Sequence, residues 1–268
     1  MIQFNLPPGV TLQDLEPTKR PSTEDFFDRL DRAYDQHVDR CLAEGKDWRP
    51  GSAPVPPNQQ SHSIAPLRAC TYPARPVNGG SLDRALPKAG HWLYEPKYNG
   101  WRALAHAPTA TMFNRYGERL TIQREFSDAL ILLQRIHLLT KASLVEWFDC
   151  EALERRHGLG QGTLMVFDYV VPGNHESYLE RKAKLALVLP LHEYAVPPEP
   201  DRAYSVVACS PARDAELEFY HSLKQLNRNW RCPFYEGVVA KRADSLYPVQ
   251  LRSPTLEFPG WVKHRWAG

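Results

Sequence analysis

The sequence predicts an α+β fold with antiparallel sheets, and three observations carry that reading. Short β-patterned runs outnumber helical ones between residues 91 and 265. They mostly follow one another as hairpins, without the strand–helix alternation of a doubly wound sheet. The chain has 268 residues, 43% hydrophobic and 24% charged, enough to bury one large core with an appendage.

Residues 1–90 read as an N-terminal extension. An irregular lead-in ends at Pro21-Ser22-Thr23-Glu24-Asp25, where Ser22 supplies an N-cap and acids occupy the first turn. Phe26, Phe27, Leu30, Tyr34, Val38, Cys41 and Leu42 then recur at helical spacing, giving a helix over about 22–43. His37, Asp39 and Cys41 are spread around that helix, so they read as surface and core positions rather than metal ligands. From 47 to 90, eight prolines and Gly79-Gly80 break any regular element, which predicts an extended connection.

The main body spans 91–268. His91–Glu95, Trp101–His106 and Ala110–Asn114 read as a meander. Ile122–Leu139 reads as a helix with Phe126, Ala129, Leu130, Leu133 and Ile136 facing the core. Strands follow at Leu144–Leu153 and Thr163–Val171, a helix at Glu176–Leu189 and a strand at Tyr204–Cys209. Ser210-Pro211 carries a helix-start pattern for a helix running to Asn227. Tyr235–Lys241 and Gly260–His264 are the last expected strands.

Bulk properties narrow the setting. No apolar run is long enough to span a bilayer, and Met1-Ile2-Gln3-Phe4-Asn5 lacks the regions of a signal peptide. Five scattered cysteines without a C-x-x-C pair suit a reducing, cytoplasmic setting. The net charge of +2 is too small to imply a nucleic-acid partner, and residues 1–90 carry 11 charges of each sign.

Several segments carry candidate chemistry. Lys97, in Tyr94-Glu95-Pro96-Lys97-Tyr98-Asn99-Gly100-Trp101-Arg102, closes a short apolar strand between aromatic residues. Desolvation and neighbouring cations favour the free amine of such a lysine and make it nucleophilic. Asp149 and Glu151 share one strand face, so either they edge the solvent or a cation lies between them. Met165, Phe167 and Tyr169 share a face, as core or as a stacking platform. Glu236 heads an apolar strand, with Gly237 allowing close backbone approach. By period two, Glu236 and Lys241 fall on opposite faces. Trp261, Lys263 and Arg265 share one face, a basic terminus or an anion site. Gly158–Gly162 imitates a phosphate loop but precedes a strand, so it reads as a turn.

In order, Lys97-x-Asn99-Gly100-x-Arg102, Asn114-Arg115-Tyr116-Gly117, Asp149-x-Glu151, Phe167-Asp168, Glu236-Gly-Val-Val-x-Lys241 and Trp261-x-Lys263-x-Arg265 resemble the motifs of covalent nucleotidyltransferases. The chain looks most like the adenylation domain of ATP-dependent DNA ligases, an ATP-grasp-like fold. Glu236–Tyr247 with Arg252-Ser253-Pro254 is similar to the bacterial members.

The resemblance implies that Lys97 attacks the α-phosphate of ATP and holds AMP. AMP then passes to the 5′-phosphate of nicked DNA or RNA, and a 3′-hydroxyl seals the strand. It further implies that Arg102 contacts the nucleotide and Arg115 the nick phosphate. Glu151 and Glu236 serve ribose and a divalent metal, Mg2+ or Mn2+, while Phe167 stacks on adenine. Lys263 and Arg265 neutralise phosphate, and Glu95 lines the base pocket.

Three departures qualify the pattern. Asn99 stands where the family has aspartate, and Arg265 where a second lysine is usual. Only Trp266, Ala267 and Gly268 follow the last motif, where the family continues into an OB-fold, so a clamp is expected from a partner in trans or from residues 1–90. The alternatives left open are an RNA ligase or other AMP-transferring enzyme, and a catalytically weak relative that binds nucleotide or nucleic-acid ends.

Overall fold

The computed structural model describes residues 74–78, 90–114, 117–139, 146–153, 159–170, 175–189, 207–214, 217–247 and 258–266, with scattered positions between 32 and 44. Of the expected N-terminal helix, Arg32, Asp35, Gln36, Asp39, Arg40 and Ala43 are described; they are helical and exposed. Its apolar stripe lies outside the described residues.

The expected α+β architecture with mainly antiparallel sheets is present. The strands are β1 (Ala74–Asn78), β2 (Trp92–Tyr98), β3 (Trp101–His106), β4 (Thr111–Phe113), β5 (Trp147–Leu153), β6 (Thr163–Val170), β7 (Val207–Cys209), β8 (Arg213–Asp214), β9 (Tyr235–Arg242) and β10 (Phe258–Arg265). They form two five-stranded sheets, ordered β1-β10-β9-β2-β8 and β4-β3-β5-β6-β7. Among the described strands only β1–β10 and β6–β7 pair in parallel. The chain crosses between sheets at Asn99-Gly100, so β2 is central in one sheet and β3 begins the other.

Among the described residues three helices accompany these sheets: α1 (Ser127–Leu139), α2 (Tyr178–Val188) and α3 (Leu217–Trp230). A 3-10 turn over Thr121–Phe126 leads into α1. The residues expected to face the core from this segment are buried against Ala103, Ala105, Phe148 and Val166 of the second sheet. Phe219 and Leu223 of α3 pack with Tyr94, Tyr98, Val238, Ala240 and Val262 of the first. Ser177 and Glu180 start α2 with reciprocal hydrogen bonds, satisfying amides that the first turn cannot.

Helix α2 bridges the sheets with charged groups. Arg181 donates to both Asp168 oxygens, at 2.8 and 3.0 Å, and to the Ser245 carbonyl at 3.2 Å. A buried guanidinium with this many aligned acceptors recovers much of its desolvation cost.

Three expectations need correction. Ser210-Pro211 does not start a helix; Arg213–Asp214 pairs with β2, and α3 begins at Leu217. The fixed φ of proline suits extended backbone as well as a first helical turn, so the pattern was ambiguous. Second, part of the proline-rich connection is a strand: β1 lies at the sheet edge, where Pro76 is tolerated. Third, β10 starts at Phe258, two residues before Gly260.

Candidate active site

Three adjacent strands set out the site as a grid. Cross-strand partners share a sheet face. Lys97 therefore lies in a row with Gly237 and Arg265, Glu95 with Val239 and Lys263, and Leu93 with Lys241 and Trp261. Lys97 and the basic residues Lys263 and Arg265, 166 and 168 positions further along the chain, thus meet on one face.

The register slips by one residue between Lys97 and Tyr98, which leaves Glu236 as an extra residue on β9. Such a bulge re-aims a side chain. It brings the Glu236 carboxylate onto the Lys97 amine, Oε2 to Nζ 2.5 Å, with Arg265 Nε at 3.1 Å from the same oxygen. Period-two alternation does not foresee this, because the bulge interrupts it. The expectation that Glu236 and Lys241 serve different atoms nonetheless holds: Lys241 belongs to Glu95. Among the described residues the ion-pair partner of Lys97 is the Glu236 carboxylate.

Gly100 lets the crossing chain pass close to β5. A Cβ there would lie 2.5 Å from the Ala152 carbonyl oxygen and 2.9 Å from Glu151 Cγ. With none present, the Gly100 N–H donates to Glu151 Oε1 at 3.0 Å. Arg102 answers the carboxylate pair noted in sequence: it pairs across strands with Glu151 and grips Asp149 through two hydrogen bonds, 2.9 and 2.6 Å. Tyr247 Oη donates a further bond to Asp149 at 2.8 Å. Arg102 is thus a fixed cation held by Asp149, a role not assigned from sequence.

Glu151 is 9% exposed. Burial pushes its carboxyl up to about 7; the Lys97 charge opposes this and the Glu236 carboxylate adds to it. The unfolded chain releases this proton near pH 4.5, whereas the folded chain keeps it to about pH 7. Stability from this group is therefore full below pH 4.5 and is lost between there and pH 7, by about 3 kcal/mol. Glu151→Gln, which still accepts from Gly100, is expected to remove that slope and to be more stable than the parent at pH 8. Urea titrations at pH 5 and pH 8 check this; an unchanged slope contradicts it.

Glu95 is 1% exposed and fully engaged. Tyr178 Oη donates to Oε1 at 2.7 Å, Lys182 Nζ donates to the same oxygen, and Lys241 Nζ lies 2.8 Å from Oε2. Lys182 also donates to the Phe167 carbonyl at 3.1 Å, tying the carboxylate to β6. Lys241 makes no aligned hydrogen bond; its ammonium sits 4.2 Å from the Trp261 ring, 4.8 Å from Tyr178 and 5.6 Å from Phe167. Cation–π attraction supplies what hydrogen bonding does not. Phe167 is the extra residue of a second bulge, between Asp149 and Cys150 on the β5–β6 pair. Its ring is half-buried beside this cluster.

Asn99 has a structural task. Its Nδ2 donates to the Pro233 carbonyl at 3.0 Å, and its N–H to the Phe234 carbonyl at 3.0 Å. A carboxylate cannot make the first bond and would face a carbonyl oxygen instead. Asn99→Asp is expected to cost about 1 kcal/mol, lowering Tm by about 2–4 °C in a thermal melt. A Tm at or above the parent's contradicts that role.

Lys263 is half-buried on β10, two positions from Arg265 on the same face. Arg115 lies outside the described residues. Sequence reasoning missed Lys182, Tyr178 and Tyr247, which reach the site from α2 and from the turn after β9. The one available signal was a lysine inside the half-buried register of a helix. Among the described residues no group of three or more His, Cys, Asp and Glu is arranged to hold a metal. None of the helices among them is long and apolar enough to cross a membrane.

No protein-family model matches the sequence, and no curated protein matches it. Solved structures do resemble it. A chain described as Pmar-Lig is 16% identical, with 72% of this chain and 46% of that chain covered and a TM-score of 0.44. Mycobacterial DNA ligase D complexed with ATP and MES is 18% identical over 74% of this chain and 60% of that one, TM-score 0.43. Chlorella virus DNA ligase-adenylate is 15% identical over 73% and 68%, TM-score 0.44. The chain spans about half to two thirds of the length of these structures.

Proposed function

We propose that the chain is an ATP-dependent nucleotidyltransferase of the DNA-ligase type, with Lys97 as the residue that carries AMP. The observation behind this reading is the convergence of Lys97, Glu236, Glu151 and Arg265 at the crossing between sheets. A lysine facing a carboxylate at 2.5 Å has a partner able to take its proton. Its amine then attacks the α-phosphorus of ATP. The N–P bond forms, the bond to the bridging oxygen breaks, and pyrophosphate leaves with the electron pair. Arg265 and Lys263, on the same face, oppose the charge on the phosphoryl oxygens. Phe167 offers a ring for the base. Glu95, already saturated, fixes the floor of that pocket rather than touching the base.

A divalent cation fits the donor set. The Glu236 carboxylate lies close enough to Glu151 to raise the proton affinity of Glu151. Magnesium takes one or two carboxylates and completes its shell with phosphate oxygens and water. Bound there, it supplies charge neutralisation at the phosphates.

AMP attached to Lys97 passes to the 5′-phosphate of a nick, and the 3′-hydroxyl then displaces it. A second reading, attachment of AMP without strand sealing, draws on Asn99, whose amide is tied to Pro233. Incubation with α-labelled ATP and magnesium, followed by a denaturing gel, tests the first step. The band should be acid-labile and alkali-stable, as a phosphoramidate is. No band with any nucleotide or divalent metal sinks both readings, and nicked DNA against nicked RNA then selects the substrate.

A further inference from the structure

Helix α3 ends on a residue that suits its backbone badly. The Cys232 N–H donates to the Asn227 carbonyl at 3.0 Å, and the Arg231 N–H to the Arg228 carbonyl at 3.2 Å. This pair of bonds closes a helix with one left-handed residue, a position where glycine is usual. Here it is Arg231, at φ 52. A positive charge at a helix C-terminus recovers part of the conformational cost, but charges elsewhere in the last turn do the same without it, and Arg228 already stands there.

Arg231 is exposed, and among the described residues its guanidinium makes no hydrogen bond or ion pair. The loop it begins is nevertheless fixed to the active site. Pro233 and Phe234, two and three residues on, hold Asn99 through their carbonyls. Two residues past Asn99, Trp101 presents its ring at 44% exposure. Among the described residues, an arginine without an ion pair and a partly exposed aromatic ring thus flank the segment that carries Lys97, with exposed Arg228 one turn back on α3 adding positive charge. Backbone phosphates are the ligand that a fork of N–H donors on such a surface matches, and bases stack on rings.

We propose that Arg231 is a nucleic-acid contact: its guanidinium binds a backbone phosphate of the strand whose end is delivered to Lys97. The inference rests on the nucleotidyltransferase reading for the identity of the polyanion. It predicts opposite effects on stability and on binding, which a merely structural or merely solvated arginine does not.

Arg231→Gly, Arg231→Lys and the parent chain would be compared by thermal melts, by fluorescence anisotropy with a nicked DNA duplex across a salt series, and by attachment of labelled AMP. Arg231→Gly is expected to raise Tm by about 2–4 °C. It should weaken duplex binding about tenfold and reduce the salt dependence by about one phosphate contact. AMP attachment should be unchanged. Arg231→Lys should keep the parent Tm and most of the binding. Binding of Arg231→Gly at parental strength overturns the proposal, as does a lower Tm in that variant or a parent chain that does not bind the duplex. Absence of AMP attachment in the parent bears on the proposed function instead, and the binding measurement stands apart from it.

Discussion

Lys97→Arg is expected to abolish attachment of labelled AMP, leaving no band above background, while the fold keeps its parental stability. Arginine retains the charge and can keep the pair to Glu236, so the electrostatics of the β2–β9–β10 face are conserved. What it cannot do is release a proton near neutral pH, because a guanidinium stays protonated there, so it offers no lone pair to phosphorus. Lys97→Ala is a poorer test, since it also strips Glu236 of one of its two cations and leaves Arg265 alone against it. In the arginine variant chemistry and charge separate. A labelled band that survives Lys97→Arg would place the nucleophile elsewhere on this face, with Lys263 and Lys241 as the nearby amines.

The same substitution asks what Glu236 is for. Lys97→Arg keeps the charge that Glu236 balances, so loss of the label isolates the proton that only the lysine can give up to it. Taking the lysine proton requires the carboxylate to sit at hydrogen-bond distance before the nucleotide arrives, and the 2.5 Å contact meets that condition.

The parts of this site that were legible in sequence are those written in short runs. Strands β2, β3, β5, β6 and β9 follow from apolar patterning, and the Phe126–Ile136 stripe names its own buried face. The parts that were not legible come from pairing between distant strands. Nothing in Tyr235-Glu236-Gly237 or Val166-Phe167-Asp168 announces a bulge, yet at both places one extra residue is inserted, and both are candidate site residues. Period-two reading assigns faces only while the register runs unbroken. Glu95 shows a second limit. Its neighbours in sequence suggested a pocket-lining role, whereas its three polar partners come from residues 83 or more positions away. Strands β1 and β8 show a third: an edge strand of two to five residues is made by its partner, and its own sequence scarcely differs from a loop.

Gly237→Ala is expected to be the most damaging single-methyl change in the described fold. The glycine has φ +153 and lies between Lys97 on one strand and Arg265 on the other. A Cβ there would sit 1.9 Å from the His264 carbonyl oxygen, 2.9 Å from its carbon and 3.0 Å from the Arg265 Cα. All three are backbone atoms, so no rotamer change relieves the contact; β10 itself must move. Separating β9 from β10 breaks the ladder through which Arg265 reaches Glu236, and frees Glu236 from the bulge that aims it at Lys97. Overpacking with backbone displacement costs about 3 kcal/mol or more, a large share of the about 5–15 kcal/mol that holds a domain together. Urea denaturation should show the midpoint falling with little change in slope, and any folded fraction at low temperature should attach AMP poorly. A parental midpoint with parental labelling would mean that β10 is free to shift. In that case the grid of Lys97, Gly237 and Arg265 is not what fixes the site.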